Sequence, residues 1–136
     1  MAKYLLDTNV IVEMLRGNQL IRNKIQSVGL ENCVISEITI AELYFGAHKG
    51  GNPKNFKDIP FVENMFKRMP SYPAFDCFGK TLSYLKRNGI AIDYFDVLIA
   101  STAIHNNLTI VTHNLKHFQR IPDLEMEDWQ NGNKNY

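Results

Sequence analysis

Three carboxylates stand apart from the other acids of this chain because of what flanks them. Asp7 follows Tyr4-Leu5-Leu6 and precedes Val10-Ile11-Val12. Glu42 lies between Ile40-Ala41 and Leu43-Tyr44-Phe45, and Asp96 between Tyr94-Phe95 and Val97-Leu98-Ile99-Ala100. Segments this apolar head for the core, where an ionised carboxylate costs several kcal/mol unless a partner compensates it. No Lys or Arg lies within three residues of any of the three. Brought together, they would also repel one another and raise each other's pKa. A divalent cation relieves both costs, and hard oxygen donors of this kind suit Mg²⁺ or Mn²⁺. The chemistry such a site supports is metal-assisted hydrolysis, with an ion orienting and acidifying the attacking water.

Each acid also has an ordinary structural account. Carboxylates favour helix N-termini. Thr39-x-x-Glu42 has the form of a capping box, Asp93 reads as an N-cap with Asp96 at the third helical position, and Asp7 as the N-cap of a helix around Val10. The choice rests on whether the elements bring the three together.

Tyr4 to Leu6 reads as a buried strand, and Val10 to Arg16 as two helical turns stopped by Gly17. Leu20, Ile21, Lys24, Ile25 and Val28 have helical spacing, and Gly29 ends that segment. Cys33-Val34-Ile35 is a second strand, followed by a helix from Thr39 to about His48 with Glu42 on its first turn. Gly50-Gly51-Asn52-Pro53 is a loop. Phe61, Val62, Met65, Phe66 and Met69 are expected on one helix face, core or partner-contacting, with Pro60 starting or kinking that helix. Ala74-Phe75 reads as a short strand, and Phe78, Leu82 and Leu85 mark a helix ended by Gly89. A further helix begins near Asp96, Leu108 to Thr112 is a β-branched strand, and Leu124-Glu125-Met126 closes the sheet. Such alternation of strand and helix predicts an α/β fold, a mainly parallel twisted sheet with helices on both faces. In an open parallel sheet the strand ends and helix starts share one edge, where ligands bind.

The chain is 136 residues long, 45% apolar and 21% charged, with a net charge of +1. That size fits one domain, placed at residues 1–130 with a polar tail from Asn131 to Tyr136. The charge balance argues against a protein that coats nucleic acid non-specifically. Cys33 and Cys77 form no CxxC pair and read as reduced residues of a cytoplasmic protein. No signal peptide or run of about 20 apolar residues is visible, so no membrane association is expected.

The same residues carry a resemblance. Tyr4-Leu5-Leu6-Asp7-Thr8-Asn9 resembles the opening of PIN domains. Ser36 to Leu43 followed by Gly46 is similar to the second motif of VapC-type toxins, and Asp96 to Ala103 to the third. Leu108 to Asn114 with Phe118, then Ile121-Pro122 and Asp128-Trp129, resembles the family's C-terminal segment. The resemblance implies a three-layer α/β/α PIN fold and a Mg²⁺- or Mn²⁺-dependent endoribonuclease. It implies a homodimeric toxin, neutralised by a VapB-type antitoxin encoded alongside. Asp7, Glu42 and Asp96 match the family's acidic metal-binding positions, Glu42 being a ligand or the base that takes a proton from water.

Two positions depart from the family pattern. Asn114 stands where many PIN domains carry a fourth acid, and His117 replaces another acid before Phe118. Asn114, Thr8, Asn9, Ser36 and Thr112 are expected to position metal waters and phosphate oxygens. Asp93 is either a compensating carboxylate or an N-cap. Lys116, Arg120, His113 and His117 either hold RNA phosphates or form a solvated polar loop. His113 and His117 have the spacing of a zinc pair, but the absence of an HExxH pattern and of a nearby cysteine argues against it.

Other readings are weaker. A haloacid-dehalogenase-like phosphatase needs a second Asp two residues after the first, and Asn9 stands there. A receiver domain needs an acidic pair after its first strand, which Asp7 lacks. A PIN-type RNA-processing nuclease without an antitoxin, and a degenerate RNA-binding module, are the alternatives within the fold.

Overall fold

A computed structural model describes residues 2–130; the tail from 131 to 136 lies outside the described residues. The chain runs β1 (Tyr4–Leu6), α1 (Thr8–Leu15), α2 (Gln19–Val28), β2 (Cys33–Ser36), α3 (Glu37–Gly50), α4 (Pro53–Met65) and β3 (Lys67–Met69). It continues with α5 (Phe75–Arg87), α6 (Tyr94–His105), β4 (Thr109–Val111), α7 (Leu115–Phe118) and β5 (Met126–Glu127). The five strands form one sheet in the order β3-β2-β1-β4-β5, and every pairing is parallel.

Side chains alternate across a strand, and here the alternation divides the core in two. Leu6, Cys33, Ile35 and Val111 point to one face, where Val10, Ile11, Ile21, Ile25, Ile59 and Val62 cover them. Leu5, Val34 and Ile110 point to the other, against Leu85, Val97, Ile99, Ala100 and Phe118. Crossovers between parallel strands are right-handed. Stepping outward from β1 to β2 and β3 therefore leaves α1 to α4 on one face. Stepping back across the sheet to β4 leaves α5 and α6 on the other. The strand order reverses between β1 and β4, and in an open sheet the crevice at such a reversal is the binding place.

The expected fold class holds, and four local expectations change. First, α1 begins at Thr8, with Asp7 as its N-cap accepting from the Thr8 amide at 2.8 Å. Second, α3 begins at Glu37, because the Ser36 hydroxyl caps it by accepting from the Ile38 amide at 3.0 Å. Thr39 is thus inside the helix, Glu42 is past the first turn, and there is no Thr39–Glu42 capping box. Third, Pro60 lies inside α4, and Phe66 and Met69 are not on its face. The helix stops at Met65, and Lys67–Met69 forms an edge strand against Val34–Ser36. Pro60 is exposed, so the carbonyl it leaves without a helical donor can turn to water. Fourth, Tyr72–Ala74 is a 3-10 turn leading into α5, and Ala74-Phe75 is no strand.

Candidate active site

The C-terminal edge of β1 and β4 is where the first acid sits. The Asp7 amide extends the ladder by donating to the Val111 carbonyl at 2.9 Å. Its carboxylate turns back into the protein, only 4% exposed. Oδ1 accepts from the Thr8 amide, and Oδ2 accepts from the Thr112 hydroxyl at 3.0 Å, a bond between residues 105 apart in sequence. The same Thr112 oxygen accepts from the Asn114 amide at 3.0 Å. One hydroxyl just past β4 therefore fixes both the first acid and the loop leading to α7.

Glu42 reaches this edge from α3. The Thr8 hydroxyl donates to its Oε1 at 2.7 Å. A hydroxyl has one hydrogen, so in the 2.9 Å contact between Thr8 and Thr39 the Thr39 hydroxyl is the donor. A partly buried chain Thr39–Thr8–Glu42 results, linking α3 to α1. Thr39 was legible only as a cap; its place three residues before Glu42 on one helix face is the signal for the role it has.

Asp96 arrives from α6, whose N-cap Asp93 accepts from the Phe95 amide at 3.1 Å. Its Oδ2 lies 3.0 Å from His117 Nε2. Arg120 grips the same histidine, its Nη2 at 2.9 Å from Nδ1 and its Nε at 3.1 Å from the carbonyl oxygen.

The three carboxylates are electrostatic neighbours. Burial, reinforced by the charges of Asp96 and Glu42, raises Asp7 from 3.8 to about 6 against the hydrogen bonds from Thr112 and Thr8. Burial raises Glu42 as well, Thr8 opposes the rise, and Asp96 and Asp93 add to it. Asp96 is raised by burial, lowered by His117 and raised by Asp93. Among the described residues no Lys or Arg forms an ion pair with any of the three. Asn9 Oδ1, two residues after Asp7, is buried without a hydrogen-bond partner.

As placed, the side chains do not form a closed cage. Among the described residues no group of three or more His, Cys, Asp or Glu is gathered closely enough to hold an ion. The donors nevertheless suit Mg²⁺, which keeps several waters and binds through one or two carboxylates plus substrate phosphates. Uncompensated, mutually repelling oxygens on separate elements fit such an ion better than they fit each other.

The remaining expected residues divide. Thr8 and Thr112 hold site carboxylates, and Asp93 adds charge to the site while capping α6. Ser36 is buried and spent on capping α3. His113 and Asn114, just before α7, and Lys116, on it, are exposed. A cavity of about 320 Å³ opens from Thr8 and Glu42 between α1, α3 and α4, with Arg16 and Lys54 among its lining. Among the described residues both cysteines are free, and no helix is long and apolar enough to cross a membrane.

Known proteins resemble this chain in sequence and in fold. The sequence profile of the PIN domain matches residues 4–124. The chain is 33% identical over 136 residues to "Ribonuclease VapC2" of Haemophilus influenzae, covering 95% of this chain and 99% of that protein. It is 31% identical over 134 residues to the "tRNA(fMet)-specific endonuclease VapC" of Salmonella typhimurium, with coverage of 95% and 99%. Among solved structures, the DNA-bound VapBC of Salmonella typhimurium superposes with a TM-score of 0.88 at 30% identity, covering 95% of this chain and 99% of that one. VapBC2 of Rickettsia felis bound to a promoter DNA fragment superposes at 0.83 and 30% identity, covering 93% and 98%.

Proposed function

The chain belongs to the PIN domain family, and from that membership we propose that it is an endoribonuclease dependent on Mg²⁺ or Mn²⁺, acting as a toxin. The observation that carries the reading is that Asp7 at the end of β1, Glu42 on α3 and Asp96 on α6 lie within electrostatic reach of one another, each perturbed by burial and none paired with Lys or Arg among the described residues. The near full-length similarity to VapC ribonucleases supports RNA as the substrate.

Asp7 and Asp96 would hold the ion directly or through water. Glu42 would join them as a ligand or accept the proton of the attacking water. A bound ion supplies a water acidic enough to attack at neutral pH and a positive clamp for phosphate oxygens. The protein's own contribution is placement. Thr8 and Thr112 fix Asp7, and the Thr39–Thr8 chain fixes one oxygen of Glu42, leaving Oε2 directed by the same side chain. Arg16 and Lys54 line the cavity that starts at Glu42, and phosphates along the strand would compete for them with Glu13 and Asp58, their ion-pair partners.

The solved relatives are complexes with VapB, and we extend that partnership to this chain as an antitoxin that neutralises it. An open apolar groove of about 350 Å³ between α1, α2 and α4, lined by Met14, Leu15, Ile25, Phe61 and Met65, gives a partner helix a surface to cover. Homodimerisation and action in the cytoplasm belong to the same proposal.

The test is cleavage of RNA by the purified chain, free of partner, with Mg²⁺ or Mn²⁺, with EDTA, and after Asp7→Asn. Cleavage is expected only from the unmutated chain with metal. Equal cleavage in all three conditions refutes the reading.

A further inference from the structure

We propose that His117, locked by Arg120, is a positioning residue that orients the Asp96 carboxylate toward the metal ion and so sets the affinity for that ion. The inference rests on the metal-dependent reading above and assigns it a part of the chain outside the three acids.

The geometry determines which nitrogen carries the hydrogen. A guanidinium has five N–H donors and no acceptor. Arg120 Nη2 stands 2.9 Å from His117 Nδ1, so Nδ1 is the unprotonated nitrogen. The hydrogen is on Nε2, which donates to Asp96 Oδ2 at 3.0 Å. Arg120 also binds the His117 carbonyl oxygen through Nε at 3.1 Å, so its fork holds both the ring and the backbone of one residue. Among the described residues Arg120 has no carboxylate partner. Its hydrogen bonds go to His117.

The acid needs such a device. The terminal torsion of an Asp side chain is broad and two-fold, so a carboxylate on a helix turns freely unless a donor holds one oxygen. Asp7 has a donor on each oxygen and Glu42 has one on Oε1. Asp96 has His117 on Oδ2, so Oδ1 is the oxygen that would be offered to an ion. A neutral donor orients the oxygen without cancelling its charge, as a Lys in that place would. The histidine is itself placed by packing: Phe118 beside it is buried in the core under the sheet, and the two rings meet edge to face at 5.1 Å. The Asn114 amide bonded to Thr112 ties the start of α7 to the end of β4. The link thus runs from Asp7 through Thr112 and α7 to Asp96, joining two acids that are far apart in sequence.

Partners that orient a metal ligand from behind typically change metal affinity ten- to a hundredfold when removed, so His117→Ala is expected to weaken binding by roughly that factor. The measurement is Mn²⁺ titration of the full purified chain by electron paramagnetic resonance, with the melting temperature recorded in EDTA. Gln at this position places an amide N–H near the former Nε2, so His117→Gln should bind Mn²⁺ more tightly than His117→Ala. Arg120→Gln frees the ring to flip and should weaken binding in the same direction. Because Arg120 is exposed, that variant carries the test if His117→Ala does not fold. Wild-type affinity in folded His117→Ala or Arg120→Gln overturns the positioning role while leaving the metal-dependent reading intact. A His117→Gln no better than His117→Ala likewise overturns it. Absence of any Mn²⁺ binding to the wild-type chain overturns the reading beneath it, and the inference with it.

Discussion

Replacing Asp7 by Asn should stabilise the metal-free protein at neutral pH while destroying its function. The Asp7 carboxyl is 4% exposed, and its pKa in the folded chain is about 6 against an ordinary 3.8. A raised folded pKa means that the native state binds the proton more tightly than the unfolded chain does. The stability this confers is fully present below pH 3.8, declines as the pH rises, and is lost above about 6. At roughly 1.36 kcal/mol per pH unit, the interval is worth about 3 kcal/mol. Asn removes the ionisation and keeps the N-cap, a role in which Asn and Asp are nearly equal. The Thr112 oxygen has a lone pair free to accept from an Asn amide, since its hydroxyl hydrogen can rotate away. The assay is urea denaturation of both proteins in EDTA between pH 4 and pH 8. The advantage of Asp7→Asn should be near zero at the acid end and approach 3 kcal/mol above pH 7, on the order of 10 °C in melting temperature for a domain this size. Saturating Mn²⁺ should raise the melting temperature of the wild type and leave that of the variant nearly unmoved. An advantage that does not change with pH, or a variant less stable than wild type at pH 7, refutes the argument that Asp7 is a buried, uncompensated charge.

Glu42→Gln should lower RNA cleavage by roughly 10²–10⁴-fold, the range for losing a positioned acid–base group, and Asp96→Asn should lower it through loss of a metal ligand, each with the fold intact by circular dichroism; cleavage within a few-fold of wild type would remove that residue from the site. Thr8→Val breaks the Thr39–Thr8–Glu42 chain and leaves the Thr39 hydroxyl without its acceptor, so it should cost about 1–3 kcal/mol in denaturation, with Thr8→Ser close to wild type. Phe118→Ala empties a site that is 1% exposed and should cost roughly 3–5 kcal/mol. Because Phe118 seats α7, hydrogen exchange at Leu115 to Gln119 should accelerate more than exchange in α2.

The acids were legible in the sequence because each breaks an apolar run, and a charge in such a run calls for a reason. The partners that hold them were not, because they come from distant segments or from ambiguous local signals. Ser36 and Thr39 each begin a pattern that resembles a helix cap, and only the structure shows that the helix starts after Ser36. Lys67–Met69 has no apolar alternation to mark it as a strand; pairing with Val34–Ser36 makes it one, and β preference depends strongly on such context. The run Phe61, Val62, Met65, Phe66, Met69 fits a helical period, yet the chain turns out of α4 after Met65. His117 read equally well as an RNA-binding cation or as part of a solvated loop. Its position against Asp96 depends on Phe118 entering the core on the far side of the sheet from α1, a long-range packing event that no local pattern encodes.

The donors around the acids are two threonine hydroxyls, a backbone amide and a histidine held in one tautomer. All can be neutral, and this bears on function. An arginine or lysine in any of those places would compensate the charge permanently and bring the pKa values back toward the ordinary range. Neutral donors fix the direction of each carboxylate while leaving its charge exposed to the other two. The cost is concentrated at one edge of the sheet, where the strand order reverses, and the apolar layers on both faces carry the fold. An edge arranged this way is least stable when empty and ionised, so a divalent cation has the largest free energy to gain there. The acids stand as neighbours on separate elements, so an ion bound there would draw the rest of its coordination from waters or substrate phosphates.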